Sequence, residues 1–524
     1  MSIKIETQQA LLYTESYKLK KEGNLLKAIE CYLKLIELNK HNYYALSNLG
    51  FCYRELGNFE KAFEFFDKAL EIKPRDINTL MNKGLCYIEL QNYKKGLSYL
   101  NKCTSSCTSK LSALVYFHQA NCYNELNDYS KALENYDKAL NESNSSTQKK
   151  LTSDILTQLY LKKAFSEFKL KQYLQSLSTL GNITNTSHRD KNKFELLHLK
   201  GMVLYNLKKY NDAVSSFDQC IELKLNDANL YYHKGLSLFF TKKYKEALEC
   251  FTKAYELDNT LQNSLYYKGK CNMKLGNNQE AIDIYSKVIS GNTYNSDILL
   301  SIGNCFFNEK KYKQAIGYYN KTIQYTPTNE NAYLNKGIAL FALGKYDESI
   351  KDLESVISLN PDNVLGYTSM GNCLMLKGQF DEAIKNYDKA NELSEMKNKK
   401  VWYNKGLCYY KKGDYTTGKE CYTKAIELDQ KYYQAYVNRG NCYVKLGEID
   451  KAKNDYDYVI TNDNPDNDEY KKCFALSNYI NVDNEHKTSE NIEKLKKIIN
   501  DFDMRKNNVL SPGNIAYIKN IITN

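Results

Sequence analysis

The stretch Trp402–Tyr415 reads WYNKGLCYYKKGDY, and its outline recurs on either side. Upstream it returns as YTSMGNCLMLKGQF (Tyr367–Phe380), YLNKGIALFALGKY (Tyr333–Tyr346) and LLSIGNCFFNEKKY (Leu299–Tyr312); downstream it returns as YVNRGNCYVKLGEI (Tyr436–Ile449). Each copy carries a bulky residue, a small residue one helical turn later, a second bulky residue and a Gly or Lys turn. A fixed period of this length marks supersecondary units that bury their apolar faces only by stacking on one another.

With the small residue as anchor, thirteen units begin near Gln9, Tyr43, Ile77, Ala113, Thr157, Phe194, Ala228, Gln262, Ser296, Glu330, Val364, Lys399 and Tyr433. The anchor is Gly50, Gly84, Gly201, Gly235, Gly269, Gly303, Gly337, Gly371, Gly406 and Gly440, with Ser16, Ala120 and Ala164 in the remaining units. Glycine inside a helix costs about 1 kcal/mol against alanine, so its return at one register implies a close helix–helix approach. Two apolar patterns of helical period flank a short break in each unit. Gly57, Gly344 and Gly413 sit at that break, where a left-handed residue suits the end of a helix. The second pattern pairs a small residue with an aromatic one turn later, as in Ala62/Phe66, Ala315/Tyr319 and Ala383/Tyr387. Pro74, Pro327 and Pro361 close three units, where a helix cannot continue.

In these residues the chain resembles the tetratricopeptide repeat (TPR) family over about residues 9–466. The resemblance implies an all-α fold, a right-handed superhelix (α-solenoid) of about 13 antiparallel helix pairs. First helices would line the concave face and second helices the convex one. The expected organisation is an N-terminal tail (1–8), four units (9–146), a polar inter-repeat loop (147–156), nine units (157–466) and degenerate C-terminal capping helices (467–524). The polar segments Asn141–Ser153 and Gly181–Asn192 read as loops. Glu469–Ile480 reads as one more first helix, in a tail suited to cap the stack.

Composition narrows the function classes. The chain is 42% apolar and 26% charged, and its net charge of +11 is spread through 524 residues. No block of like charge marks a nucleic-acid face, no apolar run approaches the length of a membrane span, and MSIKIETQQA lacks a signal-peptide core. A cytoplasmic protein is expected, with a nuclear or ciliary location left open, and without membrane insertion. Cys52, Cys86, Cys122, Cys271, Cys305, Cys373, Cys408 and Cys442 all follow the anchor by two places, so they read as small buried hydrophobes in a reducing compartment. The six histidines show no metal-ligand spacing; His118 and His233 share one register and read as surface residues. No catalytic or nucleotide-binding motif is present, and neither a cofactor nor a metal is expected.

Asparagine carries the sharper signal. Asn48, Asn82, Asn335, Asn404 and Asn438 stand two residues before the anchor, and Asn121, Asn304, Asn372 and Asn441 stand one after it. At ~100° per residue the two positions lie within about 60° of each other, away from the bulky core face. An amide offers donor and acceptor together, which matches a peptide main chain. In the family such a ladder holds extended peptide, and the resemblance carries that role to these nine residues, with Tyr266 and Tyr403 flanking. A basic residue just before the anchor (Lys83, Lys163, Lys200, Lys234, Lys268, Lys336, Lys405, Arg439) departs from the family's Leu. It reads as an alkyl stem over the core edge, with a stripe for an acidic partner as the other reading.

The function expected is a non-catalytic scaffold or adaptor that binds peptide segments of partner proteins in the concave groove. A chaperone-associated TPR co-chaperone is the alternative, but the first lysine of its carboxylate clamp is replaced by Tyr13, Ser47, Met81 and Phe117. A structural subunit of a large assembly, of the ciliary or ubiquitin-ligase type, is another. Self-association through the ends of the stack stays open.

Overall fold

The computed structural model describes residues 2–104, 111–145, 151–183, 190–223, 226–289 and 295–462, with Ala475, Asn478 and Glu493 beyond them. All regular structure among the described residues is α-helical, and the helices form two compact units, Met1–Cys271 and Asn272–Asn524. The first holds α1 (Ser2–Lys21), α2 (Leu25–Leu38), α3 (Tyr43–Glu55), α4 (Phe59–Ile72), α5 (Ile77–Glu89), α6 (Tyr93–Thr104), α7 (Ser112–Glu125), α8 (Tyr129–Ser145), α9 (Ser153–Lys169), α10 (Tyr173–Gly181), α11 (Asp190–Asn206), α12 (Tyr210–Leu223), α13 (Ala228–Phe240) and α14 (Tyr244–Leu257). The division falls inside α15 (Gln262–Leu275). The second unit continues with α16 (Asn278–Ile289), α17 (Ser296–Asn308), α18 (Tyr312–Tyr325), α19 (Glu330–Ala342), α20 (Tyr346–Leu359), α21 (Val364–Leu376), α22 (Phe380–Leu393), α23 (Lys399–Lys412), α24 (Tyr415–Leu428), α25 (Tyr433–Lys445) and α26 (Ile449–Thr461). Within the first unit α1 to α14, and within the second α17 to α26, odd- and even-numbered helices form antiparallel pairs that stack in chain order, and successive first helices touch, α17 on α19 and α19 on α21. The fold is a TPR solenoid.

Local chemistry starts and stops the helices. Asn42, Asp76, Asn329, Asn363 and Asn398 cap first helices, each side chain accepting a backbone N–H of the opening turn. Between the helices of a pair one residue turns left-handed. Gly344 and Gly413 take this conformation freely, while Gln91, Asn127, Lys171, Lys208, Lys242 and Lys310 adopt it with a Cβ. The turn geometry is therefore imposed by packing of the pair and does not require glycine.

The anchor glycine supplies that packing. A Cβ on Gly371 would lie 2.6 Å from the Tyr387 ring, one on Gly303 2.5 Å from Tyr319, one on Gly440 2.5 Å from Tyr456 and one on Gly50 2.5 Å from Phe66. The aromatic of the second helix thus lies flat against bare backbone of the first. Around each contact sit fully buried Ala62, Ala315, Ala383 and Ala452, with Cys52, Cys305, Cys373 and Cys442. The described cysteines are buried, and burial pushes thiols such as Cys305 and Cys442 up to about 12. They are packing groups. Cys107 and Cys473 lie outside the described residues.

Three boundaries differ from expectation. Residues 1–8 are not a tail, since α1 begins at Ser2. The polar run Asn141–Ser153 is partly helical, because α8 extends to Ser145 and α9 starts at Ser153 under a Thr152 cap, inside the loop expected over 147–156 and ahead of Thr157. Likewise α11 begins at Asp190, within the loop expected over Gly181–Asn192. Polar residues on an outward helix face cost little, so composition alone misplaced these ends. The capping segment 467–524 lies outside the described residues apart from Ala475, Asn478 and Glu493.

Gly371→Ala should lower stability by about 1–3 kcal/mol, as expected for a methyl forced into a packed contact. Gly317→Ala, inside α18 with nothing within 4 Å of its Cβ, should raise it by about 1 kcal/mol. Urea unfolding followed by helical circular dichroism distinguishes the two.

Candidate functional site

The asparagine ladder resolves into two chemically different arrangements. In the second unit, Asn304 Oδ1 accepts the Tyr319 hydroxyl at 2.9 Å and Asn335 Nδ2 of the next repeat at 2.9 Å. Asn372 Oδ1 accepts Tyr387 (2.7 Å) and Asn404 Nδ2 (2.9 Å) in the same way. Asn441 Oδ1 accepts Tyr456 (2.7 Å) and Asn478 Nδ2 (3.0 Å). The buried ring that presses on the anchor glycine therefore delivers its hydroxyl to the first-helix face, where an amide oxygen receives it. Burial raises the pKa of Tyr387, so it remains a donor.

Sequence follows this chemistry. Where the second-helix ring is Tyr136, Tyr319, Tyr387 or Tyr456, the residue after the anchor is Asn; where it is Phe66, Phe217 or Phe251, that residue is Phe51, Met202 or Leu236. Tyr32, Tyr285 and Tyr422 depart from this, with Tyr17, Lys270 and Leu407 at the opposing position; the buried Tyr422 hydroxyl has no hydrogen-bond partner among the described residues. Asn438, whose neighbour at that place is Leu407, instead donates to the Tyr403 hydroxyl at 2.9 Å.

In the first unit Asn48 and Asn82 are spent internally. Their oxygens accept from Lys20 Nζ (2.6 Å) and Arg54 Nη1 (2.7 Å), and their Nδ2 groups donate to Tyr44 and Asn78 carbonyls of their own helices. Asn121 accepts from Tyr136 at 2.8 Å. His118 and His233 occupy the register of Asn48, and both are half-buried, contrary to the surface reading. Burial, then Arg54 and Lys162, push His118 down to about 4; His233 Nδ1 lies 2.8 Å from the Asn229 carbonyl.

Six members of the basic register are also paired. Lys234 meets Asp218 at 2.6 Å, Lys163 meets Asp137 at 2.5 Å, and Lys83 meets Asp67. Lys336 meets Asp352 at 3.0 Å and Lys405 meets Asp388 at 2.5 Å, while Arg439 grips Asp455 through two nitrogens at 2.8 and 2.6 Å. Each pair joins a first helix to an adjacent second helix, which favours the structural reading over a stripe for an acidic partner.

Among the described residues, clefts open on the first-helix face in each unit. In the second, Asn304, Asn335 and Tyr319 form the polar floor of a cleft of ≈ 320 Å³ walled by Met273, Phe307 and Ile338. In the first, Phe165, Phe168, Leu199 and Met202 line a larger cleft of ≈ 680 Å³ beside Lys162 and Glu125. Sequence reading missed this one because its repeat matches the repeat pattern weakly and puts Phe165 where other copies have Asn. It also missed Asn478, which stands 37 residues after Asn441 where Asn404 stands 32 after Asn372, so it falls out of the repeat's phase.

Comparisons with known proteins bear on the repeats themselves. Tetratricopeptide repeat models match residues 43–76, 330–363 and 400–432, residues 421–454, and residues 77–108, 113–145, 194–227 and 366–395. A model of anaphase-promoting complex, cyclosome, subunit 3 matches residues 221–288. The chain belongs to the tetratricopeptide repeat family, and the matching models describe repeats rather than a catalytic domain. Among solved structures it is similar to yeast Tom70, with 18% identity over 94% of this chain and 99% of that one and a TM-score of 0.40. It is also similar to the APC/C hetero-tetramer Cut9-Hcn1 (16%, 94% and 96%, TM-score 0.37). YrrB, a TPR protein with an unusual peptide-binding site, matches at 22% over 34% of this chain and 93% of that one, TM-score 0.29. These likenesses concern the fold alone. No curated protein sequence matches significantly.

Tyr387→Phe should cost about 1 kcal/mol by removing a satisfied buried hydrogen bond, whereas Tyr422→Phe should gain about 1 kcal/mol by deleting a hydroxyl buried without a partner. Opposite shifts of the urea midpoint would establish the pairing rule; equal shifts would refute it.

Proposed function

We propose that the chain is a non-catalytic scaffold that holds extended segments of partner proteins on the first-helix face of its second unit. The observation that carries this is the orientation of the amides. Asn304, Asn372 and Asn441 each receive two donors on Oδ1, and their Nδ2 groups meet no acceptor among the described residues, which leaves those hydrogens for an outside acceptor. Asn335 and Asn404, bound through Nδ2, keep their oxygens for an outside donor. A donor and an acceptor held side by side match one peptide group of a bound chain.

The three amide pairs recur at every second repeat, and Ile338 and Leu407 occupy the intervening registers. With neighbouring helices 8–10 Å apart, two repeats span roughly 20 Å, which about six residues of extended chain cover. The reading is therefore a segment gripped by its main chain at intervals, with apolar side chains between.

The combined substitution Asn304→Asp, Asn372→Asp, Asn441→Asp tests it. Aspartate keeps the acceptor for each tyrosine and neighbouring amide but removes the outward donors. The expected result is an unchanged helical signal with partners depleted about tenfold or more in affinity capture followed by mass spectrometry. Equal recovery by both proteins would place binding elsewhere.

A further inference from the structure

Several buried or half-buried cations in the first unit end on carboxylates: Lys83 on Asp67, Lys163 on Asp137, Lys234 on Asp218, and Arg54 beside Glu55 and Glu89. Lys20, near the end of α1, does not. Its Nζ donates to Asn48 Oδ1 at 2.6 Å and lies 5.4 Å and 5.1 Å from the ring centres of Tyr17 and Phe51, and it reaches no carboxylate among the described residues. An ammonium carries three donors, so its charge and part of its hydrogen-bonding capacity are uncommitted. Burial lowers its pKa, as expected of a cation short of a counter-charge.

A second feature lies beside it. Tyr13, Tyr17 and Tyr44 are 38%, 44% and 51% exposed, and Tyr13 and Tyr44 meet edge to face across α1 and α3 with ring centres 6.0 Å apart. Large aromatic faces left in water beside a half-buried cation form an amphipathic bed, apolar along its length and positive at one end.

We propose that the first two repeats dock an internal acidic side chain of a partner peptide on Lys20, with a bulky apolar residue of the same peptide lying on Tyr13 and Tyr44. The rings of Tyr17 and Phe51 flank the ammonium from the two helices and leave the ligand chain room to run on past it, which suits a side-chain carboxylate over a chain end. The seven residues from Tyr13 to Lys20 span about 10 Å of helix, which roughly three residues of extended chain cover. The ligand therefore places its apolar residue three positions from its acid. This site uses none of the amide pairs of the second unit, so it stands or falls separately from the reading above.

The test is fluorescence anisotropy with the full chain and a capped, labelled peptide containing Phe-Ala-Ala-Glu. Controls are its Gln analogue, a version with Phe next to Glu, and one ending in a free carboxylate in place of Glu. Saturable binding is expected for the first peptide, weakened by salt and about tenfold or more weaker for the Gln analogue. Lys20→Met should lose the same factor while keeping its thermal midpoint, and Tyr13→Ala with Tyr44→Ala should weaken every peptide. Equal affinities for the Glu and Gln peptides on the unaltered protein, a question independent of any variant's folding, would overturn the proposal. So would absence of saturable binding, indifference to the Phe–Glu spacing, or tighter binding of the free-carboxylate peptide.

Discussion

The contact between bare backbone of a first helix and the aromatic face of its partner governs the rest of the structure. Gly303, Gly371 and Gly440 leave no room for a methyl beneath Tyr319, Tyr387 and Tyr456. That closeness fixes the spacing of each pair and forces the left-handed turn, which Lys242 and Lys310 adopt despite their side chains. The helix penalty of a central glycine, about 1 kcal/mol, is offset by burial of a complete ring. In α7 Ala120 takes the glycine's place, so that pair is built around a methyl.

The same contact couples packing to the surface where ligands would bind. A phenylalanine in that place ends in apolar surroundings, and the opposing residue is apolar. A tyrosine passes through the pair and must find an acceptor, because a buried hydroxyl without one costs about 1–3 kcal/mol. Asn304, Asn372 and Asn441 meet that need, and in doing so their amides are turned to present nitrogen outward. Core and surface chemistry are thus one choice, made repeat by repeat, and Tyr422 shows the choice left incomplete.

The repeat period, the paired helices and the glycine register were legible because each recurs in phase, so thirteen copies reinforce one reading. The ladder was legible only as a row of equivalent positions. Asn48 and Asn335 share a register, yet Asn48 is bound by Lys20 of the preceding repeat and Asn335 by Asn304. What decides is the neighbour one repeat away, which is visible in sequence only once the tyrosine–asparagine rule is known. The ends of α8 and α11 were hidden for another reason: a helix stops where capping and packing stop, and Asn141–Ser145 is polar without being a break.

The basic register shows how a modest net charge can leave little free field. Lys83, Lys234 and Lys405 reach an aspartate of the preceding pair, while Lys336 and Arg439 reach one within their own pair. Burial raises the pKa of Asp352 and Asp455 by more than Lys336 and Arg439 lower it. A carboxyl whose folded pKa is raised favours the folded state below its unfolded pKa, and that contribution is lost as pH rises through the folded value. Near neutral pH, then, these two ion pairs add little net stability, and their value is geometric: a helix displaced along its neighbour would leave one of the charges half-buried and alone. Register along the stack is held by the cost of breaking such pairs. Lys20, whose only polar partner among the described residues is an amide, takes no part in this.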